Sequence, residues 1–310
     1  MSALFHSYLC GRNAAEWLIN MKLHYIKANP SGNTTVFILD PVPKEQYAQV
    51  SKAVLSYENV GAEQLGFIIC DESCPNGWRM EMAGGEFCGN ASRSFAAWLG
   101  MCGQVGAPKM LSDPEMELTI SVSGSSQPLV TQLKRMECDN CCYVTVHMPL
   151  PLRILTGNDP WFGEYSLVIF DGISHMVLWN HEEHSEDVEK MKAFLSAVGP
   201  MPEAFGLMYF NEAEHRMKPL VYVDNPRTLV WENSCGSGSS AVASALAHRK
   251  KDTVQDILLR QPGGDLRLSA VWDKESVTEL ILGGVIQFTA LESCLHNNRI
   301  SAAADVNKNS

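Results

Sequence analysis

The chain has 310 residues, a formal net charge of −11 and 45 % hydrophobic residues. That length accommodates two domains of ordinary size, and the acidic balance disfavours nucleic acid or an anionic membrane as partner. No apolar stretch reaches a membrane span, Arg12 and Glu16 interrupt any leader-like pattern in Met1 to Asn20, and ten cysteines without a compact disulfide framework fit a reducing cytoplasm.

In chain order, Leu23 to Ile26 and Thr34 to Leu39 read as strands around an Asn29-Pro30-Ser31-Gly32-Asn33 loop, and Lys44 to Ser56 has helical spacing. Cys88 to Leu99 is predicted as a helix, apolar nearly all round and stopped by Gly100. Its Arg93 reads as a guard of a cleft mouth or, with more weight, as a snorkelling or ion-paired arginine. Leu118 to Val122 and Cys142 to Met148 alternate as strands. Cys138-Asp139-Asn140-Cys141 has a spacing compatible with zinc or a redox pair, but the strand that follows favours a hairpin turn at Asp139-Asn140. Pro149-Leu150-Pro151 marks a linker. Strands follow near Tyr165 to Phe170 and Met176 to Leu178, then a helix over Glu186 to Val198 and another from Cys235 to about Lys250. His181-Glu182-Glu183-His184 reads as an acidic surface rather than a metal site, and Ala302 to Ser310 as a frayed tail.

Two of these segments share one device. Phe87-Cys88-Gly89-Asn90-Ala91-Ser92 and Ser234-Cys235-Gly236-Ser237-Gly238-Ser239 each place a cysteine and a glycine at the start of a small-residue helix, about half the chain apart. A thiol at a helix N-terminus is expected to have a lowered pKa, and the unpaired first-turn amides can hold a carboxylate. Two such ends facing one amino acid would bind its carboxylate and acidify its Cα–H. One sulfur would then take the proton from one face while the other returns one to the opposite face, with no cofactor and no metal. Cys88 and Cys235 are therefore the catalytic candidates.

Glu86-Phe87-Cys88-Gly89-Asn90 and Cys235-Gly236-Ser237-Gly238 resemble the two catalytic motifs of the diaminopimelate epimerase superfamily. The Gly32-Asn33 loop, Glu63-Gln64-Leu65-Gly66-Phe67, Gly172-Ile173-Ser174-His175-Met176-Val177 and Gln261-Pro262-Gly263-Gly264 follow in the same order, from about Leu23 to about Leu291. The resemblance implies a mixed α/β (α+β) fold of two pseudo-symmetric domains, 22–149 and 150–292, each a mostly antiparallel sheet wrapped around a central helix. It implies that the active site lies between them, that the last strand returns to the first domain, that Met1 to Asn20 is an extension, and that the protein is a homodimer. Asn33, Gln64, Gly89, Asn90, His175, Gly236 and Ser237 become candidate substrate-binding residues.

The departures point to a changed substrate. The Glu-Arg pair that holds the distal group of diaminopimelate would fall at Val223-Asp224, or at Pro226-Arg227 by a gapless count. Positions expected to carry asparagine hold Ile173, Met82 and Gly206. Trp231-Glu232-Asn233-Ser234 before the second cysteine resembles the histidine racemases, which supply D-histidine to opine-type metallophores. An imidazole then needs apolar walls and one polar partner, for which Glu232 and Glu63 are candidates. The expectation is an isomerase acting on histidine, with a diaminopimelate epimerase, a racemase of another amino acid or a non-catalytic amino-acid binder as alternatives.

Overall fold

Two helices built almost wholly of buried residues organise the molecule. The computed structural model describes residues 22–56, 60–103, 109–112, 115–138, 140–224, 227–289 and 299–301. Expectations on residues 1–21, on Asp139, on Pro226 and on the tail from Ala302 lie outside them.

The first half contains β1 (Lys22–Pro30), β2 (Thr35–Ile38), α1 (Tyr47–Leu55), β3 (Gln64–Cys70), β4 (Trp78–Met82), α2 (Gly89–Met101), β5 (Lys109–Ser112), β6 (Glu115–Val122), β7 (Leu129–Arg135) and β8 (Cys141–His147). The second contains β9 (Arg153–Asp159), β10 (Gly163–Ile169), β11 (Ile173–Trp179), α3 (Asp187–Val198), β12 (Ala204–Asn211), β13 (Arg216–Val223), β14 (Thr228–Trp231), α4 (Gly236–Lys250), β15 (Val254–Gln261), β16 (Gly264–Asp273), β17 (Ser276–Phe288) and β18 (Arg299–Ser301).

The two halves repeat one plan. Strand β1 pairs antiparallel with β2, α1 crosses to the parallel β3, and β4 returns antiparallel. Strands β10, β11, β12 and β13 do the same, with α3 as the crossover. After the central helix, β6 adds parallel to β4 and runs into a β6–β7–β8 meander. Likewise β15 touches β13 in parallel at Arg216 and Arg260 and runs into β15–β16–β17. Strand β17 pairs antiparallel with both β8 and β1, so the described strands form one 18-stranded network. The strand predictions were legible where one face is buried: β6 and β8 alternate between core and intermediate positions.

Helix α2 is buried from Gly89 to Gly100, and α4 is buried along nearly all of Gly236 to Ala247. Alanine, serine and glycine dominate both, and their small volume lets strands close around them. Gly100 does not stop α2. It lies inside the helix, where a Cβ would press on Leu133 Cδ1 at 2.8 Å. Packing against β7 thus replaces the expected C-cap role. Helix α4 ends in His248-Arg249-Lys250, where the Arg249 and Lys250 cations suit the negative end of its dipole, with Lys251 in the left-handed region at φ 55°.

One core surrounds both central helices and includes Phe95, Trp98, Ala241, Leu246, Met148, Met208 and Leu282. Smaller cores lie under α1, with Tyr47 stacked on Phe67, and under α3. The His181–His184 segment is an exposed acidic surface at Glu182 and Glu183 that has a second role. It caps the fully buried Asp187, whose carboxylate accepts from Trp161 Nε1 at 2.7 Å, Tyr209 Oη at 2.7 Å and the His184 amide at 2.9 Å. Cys138 and Cys141 are paired as a disulfide at the connection between the antiparallel strands β7 and β8, the segment whose spacing suggests zinc or a redox pair.

Candidate active site

Cys88 is the N-cap of α2, with extended backbone (φ −134°, ψ 112°) and a sulfur accepting from Ala91 N at 3.4 Å. Cys235 is the N-cap of α4 (φ −118°, ψ 111°) and accepts from Gly238 N at 3.3 Å. The next turns match as well: Ser92 Oγ donates to the Cys88 carbonyl at 2.8 Å and Ser239 Oγ to that of Cys235 at 2.6 Å. A thiol thus takes the place usually held by Ser or Asp at a helix start. Its sulfur stays beside the first-turn amides.

The two helix starts meet over Leu282 of the bridging strand β17. A Cβ on Gly89 or on Gly236 would come within 3.0 Å of the same Leu282 Cδ2, and one on Gly236 within 3.6 Å of Asn90 N. Glycine at both positions lets the helix starts close on the Leu282 side chain without displacing it.

Around Cys88, Gln64 at the start of β3 accepts from the thiol at 3.2 Å. Asn33 is buried, donates Nδ2 to Glu63 at 3.1 Å and leaves Oδ1 unpartnered among the described groups. The other Glu63 oxygen accepts from Asn233 Nδ2. Around Cys235, the backbone amide donates to Gln261 Oε1 at 2.9 Å, and Gln261 Nε2 donates to Ser239 Oγ at 3.0 Å. Ser237 Oγ lies 3.6 Å from the Cys235 sulfur and 2.9 Å from His175 Nε2. His175 is wholly buried on β11, and burial drives its pKa down to about 3, so the ring is neutral. Gly206 on the paired strand leaves room for that ring, since a Cβ there would overlap His175 Nδ1.

The loops that close the site are locked by backbone contact. Gly32 (φ +88°) packs on Gly263, Ser31 Oγ donates to the Asp265 carbonyl at 2.9 Å, and Gly263 N donates to the Asn233 carbonyl at 2.8 Å. A turn of the first half therefore seats on the Pro-Gly-Gly turn of the second. Two surface hollows, of about 500 Å³ beside His147 and Leu280 and about 350 Å³ beside His184 and Trp231, are lined by neither cysteine.

The electrostatics overturn one expectation. Burial pushes the Cys88 thiol up to about 12, against the lowering amides of Ala91 and Asn90, with Glu86 and Glu232 adding to the rise. Cys235 is driven well above its ordinary value by burial and then by Glu232. Desolvation outweighs the helix ends, and both sulfurs rest as thiols. Glu232 accepts a hydrogen bond from the Cys235 thiol, yet burial and the neighbouring Glu63 still raise its carboxyl to about 7.

The expected site residues thus gather in one place: Asn33, Gln64, Gly89 and Asn90 on the Cys88 side, His175, Glu232, Gly236 and Ser237 on the Cys235 side. The roles of Gln261, Asn233 and Leu282 were missed. Gln261 had a faint signal, its position before Pro262-Gly263-Gly264. The substituted positions behave as apolar walls or fillers: Met82 is buried and Ile173 packs on the main core. Arg227 is exposed, near Lys192 of α3.

The family model described as the histidine racemase CntK N-terminal domain matches residues 22–292. The chain belongs to this histidine racemase family. It is 28 % identical over 256 residues to the histidine racemase of Staphylococcus aureus, covering 80 % of this chain and 88 % of that protein. It is 32 % identical over 250 residues to that of Fusobacterium nucleatum, covering 78 % and 87 %. A diaminopimelate epimerase of Xanthomonas euvesicatoria is 22 % identical over 276 residues, covering 83 % and 92 %. Among solved structures, a hydroxyproline epimerase from Agrobacterium vitis has a TM-score of 0.54 at 13 % identity, covering 86 % of this chain and 92 % of that one. A Pseudomonas aeruginosa protein described as a predicted epimerase has 0.60 at 14 %, covering 87 % and 98 %. The fold is thus the α+β fold of these epimerases, and this racemase-family chain is an isomerase acting on amino acids.

Proposed function

We propose that the protein interconverts L- and D-histidine by proton transfer between Cys88 and Cys235. The observation that carries this reading is the matched pair of N-cap thiols, each within 3.4 Å of its own first-turn amide, on helix starts that share Leu282.

The substrate carboxylate would lie against the helix starts at residues 89–90 and 236–237, where the dipoles favour negative charge. Its α-ammonium would meet Asn33 Oδ1, the buried acceptor that Glu63 leaves free by taking Nδ2. A cation there opposes the desolvation that keeps the sulfurs protonated, so binding would generate the reactive thiolate. One thiolate removes the Cα proton, and the opposite thiol delivers its own to the other face. The sulfurs exchange roles, and the reverse turn restores them. Glu232 is poised at about 7 to hold the proton leaving Cys235, and we assign its second oxygen to an imidazole N–H. Glu63 is already engaged by Asn33 and Asn233, which favours Glu232 as that partner.

The same-fold alternative, a diaminopimelate epimerase, would bury a distal carboxylate without the help of Arg227, which is exposed. We further read 22–149 and 150–292 as domains, the compartment as cytoplasmic, the product as a precursor for metallophore synthesis and the assembly as a homodimer. The half-exposed Leu229, Val230 and Trp231 of β14 support the dimer.

The test is incubation with L-histidine and, separately, LL-diaminopimelate in D₂O, with Cys88→Ser and Cys235→Ser controls. Deuterated D-histidine that vanishes in either variant supports the reading. Exchange confined to diaminopimelate overturns the substrate, and no exchange with any amino acid leaves a binding protein.

A further inference from the structure

Arg93 is neither a guard of the cleft mouth nor a snorkelling or ion-paired side chain, as its sequence context suggested. It is fully buried, and among the described residues it is the bulkiest such side chain and no carboxylate pairs with it. Burial lowers its pKa only to about 10, so it stays cationic at neutral pH. A buried unpaired guanidinium is costly and needs a reason.

The contacts of Arg93 supply one. Its Nη2 donates to Asn90 Oδ1 at 2.7 Å, while Nε and Nη1 have no partner among the described groups. Nη1 lies against Gly284 of β17, where a Cβ would come within 2.8 Å of it. Asn90 in turn donates Nδ2 to the Ser234 carbonyl at 3.2 Å. An amide has one oxygen and one NH₂. A donor-only guanidinium on one side therefore fixes the oxygen there and turns the NH₂ toward Ser234. Ser234 immediately precedes Cys235, and Asn90 lies two residues after Cys88. The side chain of Asn90, buried at 2 % exposure, is thus committed to protein partners at both ends.

We infer that Arg93 is a positioning residue: by setting the Asn90 amide, it clasps the Cys235 helix start to the Cys88 helix start and so fixes the two sulfurs on opposite sides of one carbon. The inference rests on the two-thiol reading above. It adds a clasp that no thiol or substrate contact supplies. Misplacement of reacting groups by about 1 Å costs on the order of 100-fold in rate, so the clasp acts on turnover rather than on affinity.

The experiment is a cycle of Arg93→Met, Asn90→Ala and the double variant, with Arg93→Lys as a conservative control in case the methionine variant does not fold. L-Histidine racemisation is followed by α-deuterium uptake. Iodoacetamide alkylation of Cys88 and Cys235 against pH is read by peptide mass spectrometry without substrate. Arg93→Met is expected to lower kcat about 100-fold, with KM changed less than about threefold. Arg93→Lys, with a compact ammonium in place of a planar fork, recovers part of the loss. The double variant is no slower than Asn90→Ala alone. Unchanged kcat in both Arg93 variants, or a further full loss in the double variant, would overturn the inference. If L-histidine is not a substrate, alkylation decides: altered Cys235 reactivity, equal in Arg93→Met, Asn90→Ala and the double variant, upholds the clasp, and unchanged reactivity in all of them refutes it.

Discussion

Cys88 and Cys235 occupy equivalent N-cap positions in the two halves, each sulfur accepting from the amide three residues on, at 3.4 and 3.3 Å. Two-base inversion requires this equivalence, because each sulfur serves as base in one direction and acid in the other. Replacing either by serine leaves the cap geometry but raises the intrinsic pKa of the group. Loss of racemisation by about 10²–10⁴-fold is expected in each single variant, measured by chiral chromatography. A variant that keeps inversion above a tenth of the original rate would remove that cysteine from the mechanism.

Glu232 gives a pH signature. Its folded pKa is raised to about 7 from an ordinary 4.5, so the folded protein holds a proton that the unfolded chain releases between these values. Stability from this group is therefore present below about 4.5 and lost as pH rises through about 7. Glu232→Gln should flatten the corresponding fall in Tm between pH 5 and 8. The rise of kcat/KM for L-histidine through pH 7 should shrink in the same variant. An unaltered melting profile would mean that the carboxyl titrates normally.

His175 has the opposite sign. With a folded pKa near 3, it contributes full stability above about 6.5, lost as pH falls toward 3. Its ¹⁵N resonances should report a neutral ring throughout pH 5 to 8. Titration of the ring in that window would contradict its burial against Ser237 and Gly206.

Leu282 wedges both helix starts. Leu282→Ala should cost about 2–5 kcal/mol of stability, read from urea unfolding. It should also lower kcat, because the cavity lets Gly89 and Gly236 shift. Stability lost with kcat intact would separate the wedge from the catalytic geometry.

Gln261 satisfies the Cys235 amide. Gln261→Leu leaves that buried N–H and Ser239 Oγ without their partner, at a cost of about 1–3 kcal/mol. The expected signs are a lower Tm and slower racemisation, with Gln261→Glu recovering the acceptor. Equal Tm in the leucine variant would show that another group takes over the amide.

Local signals decided much of this protein. Small-residue helices after Cys88 and Cys235, alternating β6 and β8, and helical spacing in α1 and α3 are one-dimensional patterns, because period and capping depend on near neighbours. The cysteine pair could be read for the same reason: a thiol before a glycine at a helix start is a local arrangement. Gly100 misled because the helix-stop signal is local, whereas Leu133 packs on it from another strand.

What the tertiary structure decided is whatever depends on groups distant in sequence. The helix ends alone argue for lowered thiol pKa values, but burial by both halves raises them. Arg93 reads as a surface cation until Gly284 and Asn90 enclose it. Glu63 and Glu232 are equal candidates in sequence; only the fold engages the first with Asn33 and Asn233 and sets the second against Cys235. Desolvation and hydrogen-bond partnership are properties of three-dimensional surroundings, and no window of the chain contains them.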